Sequence, residues 1–145
     1  MLFRSLNDRG RDDAPFMGQA LAKRSIRLDL LLSSAAVRAL TTAALVAREL
    51  DYPHERIAVR PEIYHADVPG LLDIVRGCPD EAQSVLLVGH NNTITEFANL
   101  LSPDALNDEM PTAGIVCLHF QVSRWAEVDQ SNAEFYFFDR PRDKK

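Results

Sequence analysis

Two short stretches bring reactive side chains to points where a buried strand gives way to a helix. In SVLLVGHNNTITEFANLL, His90 follows an apolar run and precedes a helix-like pattern. In LLLSSAAVRALTTA, Ser33 and Ser34 end an apolar run, and Arg38 follows them. Backbone N–H groups at a helix start favour an anion, and arginine adds a planar fork of donors that matches phosphate or carboxylate. A histidine at such a place can bind the same anion or move protons near neutral pH.

Each stretch also has a purely structural interpretation. Serines commonly cap helices, and Arg38 could lie on an exposed helix face. His90 could be a capping histidine that backbone groups satisfy, although Gly89 permits the close approach of a ligand to the backbone. The arrival of Arg38 and His90 at the same edge of one sheet is a more specific indication of an anion site than either residue alone.

The other histidines give weaker indications of a site. His65, in IYHAD, precedes a helix start and could border the same edge, but a loop histidine near a capping Asp67 explains it equally well. His119 alternates with apolar residues on the side of Ile115 and Cys117, which indicates a structural role. The sequence therefore leaves Arg38 and His90 as its main candidates.

The apolar runs predict repeated strand–helix units. Such an order predicts an α/β fold of three layers, with a mainly parallel sheet, helices on both faces, and a site at the carboxyl ends of the strands. Buried strands are predicted at 28–34 and 84–88, an extended segment at 56–64, and closing strands at 113–122 and 133–139. Helices are predicted at 12–24, 35–50, 68–78 and 93–101.

Two local details of these helices are predicted as well. In the helix at 35–50, Val37, Leu40, Ala44 and Ala47 form the expected inner stripe. In the helix at 93–101, Thr93 and Glu96 have the spacing of a capping box. Along the same helix, the spacing of Ile94, Phe97, Ala98 and Leu101 predicts one buried face.

Composition limits the classes of protein that the chain can represent. Its 145 residues fit one domain, and a net charge of -5 argues against broad nucleic-acid binding. No apolar run approaches the roughly 20 residues of a membrane span, and the N-terminus is too polar for a secretion signal. Cys78 and Cys117 lie far apart without metal-ligand spacing, so both are expected to be reduced thiols in a cytoplasmic protein.

Five stretches follow one another in the order seen in bacterial phosphohistidine phosphatases of the SixA type. The chain therefore resembles the histidine phosphatase superfamily, which also contains the phosphoglycerate mutases, from Leu6 to Pro141. This resemblance implies a phosphoglycerate mutase-like fold and a phosphatase that acts on phosphohistidine in a protein, or on a small phosphoester, without metal or cofactor. The five stretches are LNDRGRDDAPFMGQAL, DLLLSSAAVRALTTA, IYHAD, SVLLVGHNNTITEFANLL and MPTAGIVCLHF.

The resemblance also assigns roles to individual residues. Arg38 would bind the phosphoryl group, and His90 would be the second active-site histidine, which donates a hydrogen bond to the same group. Asn91 and His65 fall at positions that line the family's pocket. A phosphorylated protein or a small phosphoester is the expected partner, and a homodimer is left open.

One departure from the family concerns the nucleophile. The family begins with a buried strand ending in Arg-His, and that histidine becomes transiently phosphorylated; no Arg-His pair occurs in this chain. The resemblance thus implies a domain over residues 1–145 that is N-terminally truncated relative to the family and has little turnover. A shortened gene product, a relative that only binds anions, and a nucleophile from another residue or subunit are the explanations left open. The alternative function is a catalytically inactive module that binds phosphate or a phosphoprotein.

The absent strand has a consequence for folding. In the family this strand lies inside the sheet, where neighbouring strands are about 4.7–4.9 Å apart, so its loss would leave a gap too wide for pairing. A well-folded chain must close the gap by a shifted sheet, by an inserted segment such as MLFRSL, or by strand exchange in a dimer. Met1 to Leu6 is apolar enough to supply a very short strand.

Overall fold

The structure of the protein is a computed structural model that describes the backbone of residues 2–4 and, in full, residues 13–103 and 114–140. The strands of this part of the chain are β1 (Leu2–Arg4), β2 (Leu30–Ser33), β3 (Ala58–Val59), β4 (Val85–Gly89), β5 (Ile115–Phe120) and β6 (Ala133–Asp139). The α-helices are α1 (Asp13–Lys23), α2 (Val37–Glu49), α3 (Glu62–His65), α4 (Val68–Arg76) and α5 (Thr93–Leu101). Three short 3₁₀ turns lie at His54–Arg56, Trp125–Glu127 and Gln130–Asn132.

All six strands belong to one sheet in the order β3-β2-β4-β1-β5-β6. The pairs β2–β3, β2–β4 and β1–β4 are parallel, whereas β1–β5 and β5–β6 are antiparallel. This arrangement confirms the predicted α/β fold with a mainly parallel sheet. No described helix is long and apolar enough to cross a membrane.

Strand β1 occupies an interior position of the sheet. Leu2 is paired with Leu87 of β4 on one side and with Val116 of β5 on the other. The prediction that the N-terminal segment supplies a very short strand is therefore confirmed, and the expectation of a missing first strand is corrected. Met1, Ser5 and Leu6 of that segment lie outside the described residues.

Two apolar cores cover the two faces of the sheet, because successive residues of a strand point to opposite faces. Leu32 and Leu87 belong to the core that α4 and α5 cover, with Phe97 at its centre. Leu31 and Leu86 belong to the core that α1 and α2 cover. The strands β2 and β4 are thus buried on both faces, as their continuous apolar runs predict.

Helix α2 turns a face inward that shares only Ala47 with the predicted stripe. Val37 is 78% exposed, and the buried residues of the helix are Ala39, Thr42, Ala43, Val46 and Ala47. Alanines occur on most sides of this helix, so apolar spacing alone does not single out one stripe. Thr42 is tolerated inside because its hydroxyl donates a hydrogen bond to the Arg38 carbonyl at 2.9 Å. Thr42 can therefore occupy a buried position of the helix although it is polar.

The prediction for residues 56–64, near the sheet's carboxyl edge, needs correction. The extended segment predicted at 56–64 is confirmed only at β3 (Ala58–Val59). Ile63 and Tyr64 instead donate backbone hydrogen bonds to Arg60 and Pro61 and lie in the helical turn α3. Proline suits a helix start because its φ is already near the helical value.

The predicted capping box at the start of α5 is also wrong. Asn92 is the N-cap residue, and it makes no side-chain capping bond. The backbone N–H of Ile94 instead donates to the carbonyl of His90 at 2.8 Å, and that of Glu96 donates to Asn92. The buried face predicted for this helix is confirmed, with all four of its residues inside.

The interior position of β1 can be tested by proline substitution. Proline has no N–H and is excluded from central strands, so Phe3→Pro should remove a ladder hydrogen bond and leave a sheet carbonyl unpaired. We expect the free energy of unfolding to fall by at least about 1–3 kcal/mol. The measurement is urea denaturation, with Phe3→Leu as the control that keeps the N–H. A Phe3→Pro protein as stable as the Phe3→Leu protein would contradict the interior strand.

Candidate active site

The candidate site lies where β2 and β4 end side by side. Because the two strands are parallel and Ser33 is paired with Val88, both chains leave the sheet at the same edge. The backbone N–H of Ser34 donates to the Val88 carbonyl at 3.2 Å and continues the ladder by one residue. His90 leaves the other strand one residue after Gly89. The register of one strand pair therefore brings Ser34 and His90 to the same level.

A side-chain hydrogen bond joins these two turns. The Nε2 atom of His90 lies 2.7 Å from the Oγ atom of Ser34. The Ser34 oxygen also accepts the backbone N–H of Ala36 at 3.2 Å, and the Ser33 hydroxyl donates to the Ser34 carbonyl at 2.9 Å. Both serines are fully buried. The structural interpretation of the serines as helix caps is wrong, because Ala36 is the N-cap residue of α2 and no side chain caps the helix. Ser34 instead contacts the candidate histidine.

Burial makes His90 harder to protonate. The side chain is half-buried, and desolvation lowers its pKa from the ordinary value because the charged imidazolium loses hydration. The neutral imidazole is therefore the dominant form near neutral pH. A neutral histidine keeps one N–H donor, which is sufficient for a hydrogen bond to an anion.

Tyr64 adds an aromatic wall that the sequence did not single out. Its ring centroid lies 5.2 Å from that of His90 at 71° and 4.8 Å from that of His65 at 80°. Both contacts have the edge-to-face geometry that aromatic pairs prefer. Tyr64 is 56% exposed, so the wall opens to solvent. The position of Tyr64 beside His65 in the sequence could have indicated this contact, because the helical turn α3 holds both rings at the same edge of the sheet.

The remaining predicted site residues are close in sequence to the turns at this edge. Arg38 is exposed and is the second residue of α2, four positions after Ser34. Asn91 is half-buried, and its side-chain oxygen accepts a hydrogen bond from the Thr95 hydroxyl. His65 is exposed, and its ring contacts that of Tyr64, which also contacts His90. The structure thus brings His90 into contact with Ser34 and Tyr64, while Arg38 lies in the helical turn that follows Ser34.

The donors of this edge suit an anion. The N-terminal end of α2 carries the positive end of a helix dipole, and Arg38 adds a permanent positive charge there. Within residues 13–103 and 114–140, no group of three His, Cys, Asp or Glu side chains is placed to hold a metal ion. The nitrogen donors of Arg38 and His90 are of the kind that bind oxyanions.

Outside this edge, His119 also differs from its prediction. A register shift between Cys117 and Leu118 interrupts the alternation of β5, so His119 is exposed while Ile115 and Cys117 are buried. Its ring stacks on that of Tyr136 at 4.3 Å. The prediction that His119 shares the side of Ile115 and Cys117 is therefore wrong, and its ring lies on the surface of the sheet.

Comparison with known proteins agrees with the fold and the motifs. Residues 4–71 match the model of the histidine phosphatase superfamily, branch 1. The fold is that of the phosphoglycerate mutase-like proteins. These findings confirm the resemblance to the histidine phosphatase superfamily and support a phosphatase-like function.

Individual relatives cover nearly the whole chain. The solved structure of a putative phosphohistidine phosphatase SixA from Nakamurella multipartitia superposes with a TM-score of 0.79 at 24% identity, covering 97% of this chain and 95% of that one. A putative phosphohistidine phosphatase SixA from Agrobacterium tumefaciens gives 0.78 at 26% identity, covering 97% and 96%. An uncharacterized protein of Mycobacterium leprae is 27% identical over 96% of this chain and 88% of its own.

The lowered pKa of His90 predicts how stability depends on pH. Below about pH 6.5, the ordinary pKa of histidine, the unfolded chain binds a proton at His90 that the folded chain resists, so this residue makes the free energy of unfolding decrease as pH falls. His90→Gln should reduce that decrease, whereas His54→Gln, which removes an exposed histidine, should not. Urea denaturation between about pH 7.5 and about pH 5.5 measures both. Equal pH dependence in the wild type and in His90→Gln would contradict the assignment.

Proposed function

We propose that the chain is a phosphatase-type domain whose site at the carboxyl ends of β2 and β4 binds a phosphoryl group carried by phosphohistidine or a small phosphomonoester. The observation that carries this proposal is the 2.7 Å contact between His90 and Ser34. It unites the two turns that each carry an anion-binding side chain. An α/β domain without a phosphate site would not require the histidine turn and the serine turn to meet.

Each side chain has a role that its chemistry suggests. Arg38 would grip two oxygens of the phosphoryl group with its guanidinium, and His90 would donate an N–H to a third oxygen. Asn91 and His65 would line the pocket and orient the group. Fixed donors of this kind stabilise charge that develops in a transition state without having to reorganise during the reaction.

The exposure of the pocket favours a substrate attached to a larger molecule. Arg38, Tyr64 and His65 are all exposed, and the Tyr64 ring packs against that of His90. An exposed aromatic ring also offers a face on which the imidazole of a phosphohistidine can rest. The SixA names of the similar structures support phosphohistidine as the first substrate to test.

Whether the chain has a nucleophile decides whether it acts as an enzyme or as a binding module. Strand β1 ends at Arg4, which is paired with Gly89, the residue before His90, and the superfamily match begins at Arg4. The next residue in the sequence is Ser5, where the family's Arg-His order requires histidine. We therefore propose that phosphoryl binding is retained and that turnover is low. In that case the alternative, a module that binds phosphate or a phosphoprotein, describes the chain's own activity.

Phosphoryl binding is tested with tungstate and phosphate as ligands. Arg38→Ala should weaken tungstate binding by roughly 10- to 100-fold, because a charge-assisted hydrogen bond contributes about 1.5–3 kcal/mol. Arg48→Ala, which removes an exposed arginine at the other end of the same helix, is the matched control and should leave binding unchanged. Isothermal titration calorimetry measures the affinities. Equal affinity in Arg38→Ala and Arg48→Ala would exclude Arg38 from the site.

Restoring the family's dipeptide tests the missing nucleophile. Ser5→His re-creates Arg-His after Arg4 and so supplies the nucleophile of a covalent intermediate. It should raise the hydrolysis of p-nitrophenyl phosphate and of a phosphohistidine protein by at least about 100-fold, since even one positioned acid–base group contributes about 10²–10⁴-fold. Ser5→Gln is the control of similar size without a nucleophile. The phosphorylated enzyme should be trapped only in Ser5→His. Rapid hydrolysis by the wild type that is lost on His90→Gln would show that another residue attacks phosphorus.

A further inference from the structure

We propose that Ser34 is a positioning residue that fixes the ring orientation and the tautomer of His90, so that Nε2 is held against the protein and Nδ1–H is the atom that faces a bound phosphoryl group. This inference rests on the proposed function of the site. It differs from it in assigning a task to a buried serine that touches no substrate.

Three hydrogen bonds of Ser34 to other residues leave only its hydroxyl proton in need of an acceptor. Its backbone N–H donates to Val88, its carbonyl accepts the Ser33 hydroxyl, and its Oγ accepts the N–H of Ala36. The hydroxyl proton is what remains, and among the described residues its hydrogen-bonding partner is Nε2 of His90, 2.7 Å from Oγ.

This accounting determines the tautomer of the imidazole. A fully buried hydroxyl proton without an acceptor is destabilising, so Ser34 donates and Nε2 accepts. In a neutral ring the proton then lies on Nδ1. Burial already favours the neutral ring by lowering the pKa of His90. The two ring nitrogens point in divergent directions, and the N–H donor is therefore directed away from Ser34.

Neighbouring groups hold the ring in this orientation. The carbonyl of His90 accepts the N–H of Ile94 at 2.8 Å, which fixes the backbone, and the Tyr64 ring packs edge-to-face against the imidazole. Gly89 lies beside them, and a Cβ atom there would lie 3.3 Å from Cδ1 of Ile94, a tight contact that a larger residue would have to relieve. The Ser34 bond selects which nitrogen faces inward within this enclosure.

The same contact does not make Ser34 a nucleophile. A serine within hydrogen-bond reach of histidine is the geometry of a base-activated nucleophile. Ser34, however, has none of its surface exposed, and its oxygen already accepts the N–H of Ala36. A phosphorus atom has no path to this oxygen, so the bond serves to orient the histidine.

The wild-type protein provides the first test. Nitrogen-15 NMR of the imidazole, with His90→Gln to assign its signals, should show Nδ1 protonated and Nε2 unprotonated near neutral pH, in the absence of any ligand. A ring protonated at Nε2 would overturn the proposal. This result requires no activity, so it is independent of whether the chain binds phosphate.

The variants provide the second test. Ser34→Ala should raise the pKa of His90, because the neutral ring loses its donor, and should weaken tungstate binding about 10-fold, the effect of roughly 1.4 kcal/mol. Ser33→Ala is the matched control, since it removes an equally buried hydroxyl that touches no histidine. Ser34→Thr, which keeps the hydroxyl, should restore the His90 pKa. Equal effects of Ser34→Ala and Ser33→Ala would overturn the proposal.

The outcomes distinguish this inference from the proposed function. Wild-type protein that shows the Nδ1–H tautomer but does not bind tungstate would contradict the phosphoryl site, and with it the positioning role, while leaving the hydrogen bond in place. Tungstate binding that is lost in Arg38→Ala but unchanged in a folded Ser34→Ala would keep the phosphoryl site and overturn the role of Ser34. If Ser34→Ala fails to fold, the wild-type tautomer decides alone.

Discussion

The parallel pairing of β2 with β4 is the constraint on which the candidate site depends. Four consecutive residue pairs, from Leu30 with Val85 to Ser33 with Val88, fix where both strands end. A shift of one residue would turn every side chain of the strand to the opposite face. It would also move Ser34 away from His90. The apolar residues that hold the register therefore position the polar residues that follow them.

This constraint explains why buried polar groups occur at this edge. Ser33 and Ser34 are fully buried directly after three leucines, and each polar group of Ser34 has a hydrogen-bond partner. Buried polar groups stabilise a unique arrangement only when they are fully satisfied. Tyr64, which packs against His90, is exposed, and so is Arg38, four residues after Ser34. In the proposed function these exposed side chains receive the charged group of a larger molecule.

Much of the fold could be predicted from the sequence, because long apolar runs and clear periodicity determine strands and helices such as β4 and α5. The meeting of the histidine and serine turns followed from the rule that parallel strands end at one edge. The inner face of α2 could not be predicted, since its alanines fit several faces. The Tyr64 wall depends on a helical turn after Pro61 that short-range patterns did not indicate. The tautomer of His90 depends on one hydrogen bond between residues 56 positions apart.

The most direct measurement of the central claim is a crystal structure of the wild-type protein grown with tungstate. The account predicts a single ordered anion within hydrogen-bond distance of both the Arg38 guanidinium and Nδ1 of His90, with the Ser34 contact retained behind the ring. An ordered anion elsewhere, with the Arg38 and His90 side chains directed to opposite faces of the sheet, would contradict the account.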